Sequence, residues 1–332
     1  MSRLVFRLRR PAVIGLLMLA AGTATTARAP QAGNEKSVYA LVMDAQTRKP
    51  VPNLPQTAFL IREDNLDRQV VRVAPLTEPM AIVLLADTTS AFAQAARDLR
   101  DSSAAFIKRM LTDSPKSSIA LWEFGGADIP IENFTSDEAK LQQATTKLFP
   151  KGSLSDLSTA GSGTTRTQGQ NIVGSNLLEA VVGASKALAK RPEARRIIVS
   201  FNSDLSAEMS TLPGQQVQDE VQKASATLVA VSLQADVGSQ GSSSASRTTG
   251  SVGISSPGAK RDNVLDNVCP LSGGTRITIA TIQALAPTLE NVADLLANQY
   301  VVTYTRPSGS AKQVLIGTPQ GLKASIARWA PK

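Results

Sequence analysis

The apolar run MAIVLLA, residues 80 to 86, ends on a carboxylate, Asp87, and three hydroxyl side chains follow it, Thr88, Thr89 and Ser90. Carboxylate and hydroxyl oxygens are hard ligands, suited to Mg²⁺ or Mn²⁺ rather than to softer metals. The same residues also fit a structural reading, in which Thr89 or Ser90 caps a helix and Asp87 accepts backbone N–H bonds at its start. Both readings are open on these residues alone. Other chemistries are closed. The chain of 332 residues contains no histidine, so neither Ser-His-Asp nor Cys-His catalysis nor an imidazole zinc site can be assembled. No Ser stands three residues before a Lys, and no Gly-Lys-Ser/Thr follows a glycine loop. Nothing marks out a carboxylate pair for glycoside hydrolysis. Cys269 is the single cysteine, in the mostly apolar setting NVCPL, and reads as a small buried hydrophobe.

Composition places these residues in a globular chain, 42% hydrophobic and 19% charged. The formal charge of +8 points toward nucleic acid only until its distribution is read. Arg3, Arg7, Arg9, Arg10 and Arg28 account for five of the 35 basic residues, which leaves 30 against 27 acidic ones, a net of +3. That balance, with 4% aromatic residues, argues against a phosphate-binding surface. The basic excess belongs to residues 1–29. MSRLVFRLRR is a positive n-region, PAVIGLLMLAAGTA an apolar h-region and ARA a small-residue cleavage site, together a secretory signal peptide. Pro30 is awkward after the cut, so cleavage after Ala24 or Ala32 is the alternative to Ala29. The apolar run is short of the roughly 20 residues a membrane span requires. Export to a periplasm or out of the cell follows, with no membrane span once the signal is removed.

The elements that would position Asp87 can be read along the chain. Residues 30–78 form a small N-terminal β segment, in which alternation in VYALVMD, AFLIRED and QVVRVAP predicts three or so strands. Residues 79–306 alternate between apolar runs of strand length and helical periodicity. The strands are AIVLLA (81–86), SIALWEF (118–124), RRIIVSF (195–201) and TLVAVSL (227–233). Phe92, Ala95, Ala96, Leu99, Ser103, Phe106, Ile107 and Met110 recur at helical spacing until TDSP. SDEAKLQQATTKLF predicts a helix opened by Ser136, SNLLEAVVGASKALAK places Leu177, Val181, Ala184 and Leu188 on one face, and QQVQDEVQKASA is helical. TLENVADLLANQ then feeds a last strand, YVVTYT (300–305). The pattern specifies an α/β fold, a doubly wound, mostly parallel, Rossmann-like sheet with helices on both faces. The Ser/Gly-rich stretches 151–170 and 236–260 are expected to be mobile loops, and residues 307–332 to form a C-terminal hairpin, KQVLIGT and LKASIARW around PQG. Ligands of such sheets bind beyond the carboxyl ends of the strands, where Asp87 stands.

VLLADTTSAF, GSNLLEA and RRIIVSFNSD, in this order, resemble the three loops of a von Willebrand factor type A (VWA) domain. More narrowly, the chain is similar to an exported bacterial subset of that family. Its β prelude carries an F-x-x-x-E-D element, matched by FLIRED (59–64), a GG turn precedes a late strand, matched by LSGGTRI (271–277), and a QY-x-x-x-Y strand is matched by QYVVTY (299–304). The likeness runs over about residues 37–330. It implies a VWA-like domain over 79–306 with a metal-ion-dependent adhesion site built on D-x-S-x-S, a Thr in the second loop and an Asp in the third, the metal taking its last ligand from a partner's carboxylate. Carried over, Asp87 matches the first Asp, Thr89 replaces the first Ser and keeps the hydroxyl, and Ala91 replaces the second Ser and cannot ligate. Ser175 takes the place of the Thr, and either Ser203 or Asp204 that of the third-loop Asp. The implied ligand set is therefore Asp87, Thr89, Ser175 and Asp204, a degenerate site with weakened affinity for Mg²⁺ or Mn²⁺. The expected function is an exported, non-enzymatic module that binds a protein partner through this face. The alternative is a metal-independent structural component of an envelope assembly.

Overall fold

A computed structural model describes residues 35–125, 129–150, 174–204, 206–234, 258–306 and 311–328. The expected signal peptide, the loop 151–170 and residues 236–257 lie outside the described residues. The chain opens with β1 (Glu35–Asp44), β2 (Leu60–Glu63), β3 (Leu66–Arg68) and β4 (Val70–Pro75). It continues through β5 (Met80–Asp87), α1 (Ala96–Asp113), β6 (Ser118–Phe124), β7 (Ile129–Thr135), α2 (Glu138–Thr145), α3 (Leu177–Leu188) and β8 (Arg195–Ser203). Then follow α4 (Gly214–Ala224), β9 (Ala226–Leu233), α5 (Ala259–Leu271), β10 (Thr275–Ile279), α6 (Leu285–Ala297), β11 (Tyr300–Thr305), β12 (Val314–Gly317) and β13 (Leu322–Ser325). Among the described residues no helix is long and apolar enough to cross a membrane.

Six strands form the central sheet in the order β10-β9-β8-β5-β6-β7. All neighbours are parallel except β7, which runs antiparallel to β6. β5 lies inside the sheet with helices on both faces, which is why its eight residues are all buried and why an unbroken apolar run suits it. Its alternate residues serve two cores. Ile82, Leu84 and Ala86 pack with α1, α2 and α6, whereas Ala81, Val83 and Leu85 pack with α3, α4 and α5. Each fully buried Leu or Ile contributes about 1.5 to 3 kcal/mol. The GG turn before β10 has a steric reason. A Cβ on Gly274 would stand 1.9 Å from the Leu228 carbonyl oxygen, and one on Gly273, at φ +82°, 2.5 Å from the Ala327 nitrogen.

The second unit is a β structure with its own core. β13-β1-β11-β4 form one antiparallel sheet and β12-β2-β3 another, around Val38, Ala40, Val42, Phe59, Ile61, Tyr300, Val302, Tyr304 and Val314. Here the sequence reading is corrected twice. β11, which periodicity assigns to the end of the α/β run, leaves the central sheet and pairs with β1 and β4. The buried Arg195, at the start of β8, takes the Glu78 carbonyl at 3.0 Å, the Leu296 carbonyl at 2.5 Å and the Gln299 side chain at 2.7 Å. It thereby ties the entry of β5 to the end of α6 and directs the chain after α6 into the small unit. The expected terminal hairpin is also split, since β12 pairs with β2 and β13 with β1. A lone hairpin is marginal, whereas splitting it lets Val314 and Ile326 share one core.

Smaller corrections concern single elements. Asp137, not Ser136, caps α2, accepting the Lys140 N–H at 3.1 Å. β7 and α5 carry no strong sequence signal: IPIENFT contains Pro130 and Glu132, and AKRDNVLDNVCPL sets its apolar residues among the charged and amide side chains of KRDN and DN. Residues 259 and 260, expected in a loop, already belong to α5. Cys269 is buried on α5, and burial pushes its thiol up to about 12.

Candidate functional site

Strand parity decides where Asp87 points. It follows Ala81, Val83 and Leu85, so its carboxylate turns toward the layer that contains α3, α4 and α5. The sequence reading places this group at the strand end where ligands bind, which requires it to be accessible; in the structure it is fully buried. Its Oδ1 accepts the Thr89 N–H at 2.8 Å and its Oδ2 the Ser203 N–H at 3.1 Å, which joins the loop after β5 to that after β8. Burial pushes the Asp87 carboxyl above its usual range, opposed by hydrogen bonds from Thr89 and Ser203 and by the charge of Arg261.

The other implied ligands are near one another without converging on one point. Thr89 caps nothing with its side chain; its hydroxyl pairs with that of Ser206 at 2.7 Å, and both residues are buried. Ala91 packs against the apolar core on the α1 side. Ser175 forms a bridge with Glu208, its N–H donating to the Ala207 carbonyl at 2.7 Å and its hydroxyl to Glu208 Oε2 at 3.2 Å. Asn176 accepts the Gly125 N–H at 2.8 Å and so fastens the start of α3 to the end of β6. The choice between Ser203 and Asp204 divides by role. Ser203 gives its N–H to Asp87, and the Asp204 carboxylate instead faces two arginines, Arg261 at 3.3 Å and Arg276 at 3.5 Å.

Arg261, on the first turn of α5, is fully buried. Its Nη1 donates to the Ser206 carbonyl at 2.8 Å, its Nη2 to Asp204 at 3.3 Å and its Nε to Asp262 at 3.2 Å. Arg276, on β10, bonds Asp262 at 2.9 Å, Asp266 at 3.0 Å and the Ser232 hydroxyl at 3.1 Å. Burial and the Asp262 charge raise the Asp204 carboxyl. Burial pushes Glu208 up to about 7. The sequence reading missed Ser206, Glu208, Arg261 and Arg276. Their local sequence carries no signal, since Ser206 and Glu208 lie in the loop after β8 and Arg261 in the polar string KRDN, and their partners lie on distant elements.

A divalent ion of the kind implied by the resemblance requires about six oxygen ligands in near-octahedral array. The Thr89 and Ser175 hydroxyls are turned to Ser206 and Glu208, and Asp204 faces two guanidinium groups, which leaves Asp87 without converging partners. These residues do not fit such an ion.

The fold is VWA-like: a doubly wound sheet whose loops after β5, ahead of α3 and after β8 meet at one edge. No protein-family model matches the chain, and no curated protein sequence matches it. Among solved structures it is similar to the vWF domain of the type V pili tip protein Mfa5 from Porphyromonas gingivalis, at 13% identity and a TM-score of 0.45 over 67% of this chain and 96% of that one. It is also similar to the PilB minor pilin from Streptococcus sanguinis, at 11% and 0.42 over 67% of this chain. A third is the conserved hypothetical protein BatB from Bacteroides thetaiotaomicron, at 13% and 0.39 over 65% of this chain and 98% of that one. The chain spans 62% of the length of the pilin.

Proposed function

We propose that this chain is an exported, non-enzymatic module that binds a protein partner through the loop rim at the carboxyl edge of its central sheet. One observation carries the reading: three loops distant in sequence are cross-tied there by Asp87 to Ser203, Thr89 to Ser206 and Ser175 to Glu208. A rim ordered in advance binds without the entropic cost of ordering loops. Its hydroxyls and carboxylates are engaged with one another, which suits recognition better than proton transfer to a substrate. Met209, 63% exposed, stands on this rim with its backbone bonded to Ser175, an apolar contact that a partner would cover. Export is supported by the basic and apolar segments within residues 1–29.

The test is capture from the native envelope fraction by immobilised protein, comparing the wild type with Met209→Glu. Loss of capture with an unchanged circular dichroism spectrum is the expected result. The alternative, a structural component of an envelope assembly, is favoured by Leu60 and Leu66, 48% and 59% exposed on the β2–β3 ribbon. If Leu60→Glu with Leu66→Glu abolishes capture and Met209→Glu does not, the rim is not the binding face.

A further inference from the structure

We infer that the Arg261 guanidinium is the resident cation of this rim, a covalent part of the protein that occupies the electrostatic role a divalent ion would fill. The argument starts from Asp87, whose carboxylate is fully buried and bonded to two backbone N–H groups. Backbone N–H groups orient an anion without cancelling its charge, and a buried carboxylate with no nearby cation is strongly destabilising. The Arg261 charge favours the ionised forms of Asp87, Asp204 and Glu208, against burial, which outweighs it at each. Arg261 is itself fully buried, so it too requires anions around it.

Its bonds do what coordination would do. The guanidinium fork holds the Ser206 carbonyl and the Asp204 carboxylate of the loop after β8, and through the Ser206–Thr89 hydroxyl pair reaches the loop after β5. Gly258 gives it room: a Cβ there would stand 2.4 Å from Nη2. A guanidinium stays charged at every pH the protein meets, so this cation cannot be diluted or chelated. It also explains why Ala91, with no oxygen to offer, is tolerated at a position where an octahedral ion would need a hydroxyl. The assignment stands whether or not the rim binds a partner.

Three measurements on the full chain test it. Mn²⁺ titration followed by calorimetry and electron paramagnetic resonance should show no ion bound to the wild type at millimolar Mn²⁺, and the melting temperature should be equal in Mg²⁺ and in chelator. Mn²⁺ binding that Asp87→Asn abolishes would overturn the assignment. Arg261→Met should lower the melting temperature, and adding Asp87→Asn should restore part of the loss because the uncompensated carboxylate is gone. Strictly additive losses would count against it. Should Arg261→Met fail to fold, a double variant that folds supports the assignment, and one that fails equally overturns it.

Discussion

Among the described residues two carboxylates are removed completely from solvent, Asp87 at the sheet rim and Glu63 in the small β unit, and they are stabilised in opposite ways. Glu63 is bonded directly by Arg306 at 2.5 and 2.7 Å, by the Tyr304 hydroxyl at 2.8 Å and by Arg68 at 3.2 Å. Burial alone would raise its pKa; the Arg306 and Tyr304 hydrogen bonds and the Arg306 and Arg68 charges outweigh burial and hold it below its usual range. Asp87 has backbone N–H donors in contact and the charge of Arg261 without a bond to it, and burial wins. The difference teaches what each cluster is for. Direct pairing pins β2 to β11 and joins FLIRED of the β prelude to the late strand QYVVTY. A cation held at one remove lets a single guanidinium serve several acidic groups and several loops.

The largest expected effect tests the direct pair. Arg306→Met leaves Glu63 buried beside only the more exposed Arg68, and should cost about 3 to 5 kcal/mol in chemical denaturation. A loss below about 1 kcal/mol would mean that Glu63 is not held by contact pairing, and the contrast with Asp87 would fail.

How far these clusters could be read in the sequence follows from where their members lie. The MAIVLLAD run announced a buried central strand because a strand covered on both faces needs apolar residues at every position, and Asp87 at its end was legible for the same reason. Its burial was not legible, because the distant residue that bonds it, Ser203, lies 116 positions further along the chain. Arg261 sits in KRDN, a string that reads as a solvated helix end. β11 was misplaced because a strand following a helix has the same local pattern in either sheet; what diverts it is the buried Arg195 contact with Leu296 and Gln299. The Glu63–Tyr304 bond joins residues of two motifs that the resemblance names separately, and no spacing rule shows that they touch.

Acid and base should separate the two regions next. For Glu63 the folded-state pKa lies below its ordinary 4.5, so its stabilisation is present above that value and is lost as the pH falls through the lowered one. Glu208 is the reverse: raised to about 7 from 4.5, it binds more protons folded than unfolded, so stability falls as the pH rises between those values. Glu208 is only partly buried, so the discounted cost is about 1 to 2 kcal/mol between about pH 5 and pH 8. Melting temperatures should decline over that interval in the wild type and stay flatter in Glu208→Gln, whereas Glu63→Gln should change the acid limb. Identical neutral slopes in the wild type and Glu208→Gln would show that the rim is not under the electrostatic load inferred for it.

The smallest expected effect asks whether contact or mere charge protects Glu63. Arg68 reaches Glu63 at 3.2 Å with a side chain 17% exposed, against 9% for Arg306 at 2.5 Å. Arg68→Met leaves both the Arg306 fork and the Tyr304 hydroxyl in place, so no buried charge is orphaned, and the loss should be about 0.5 to 1 kcal/mol, close to that of a surface pair. A loss as large as that of Arg306→Met would mean that Glu63 depends on the summed field of two cations. The small β unit would then solve its buried carboxylate in the way the rim solves Asp87, and the distinction between contact and field would fall.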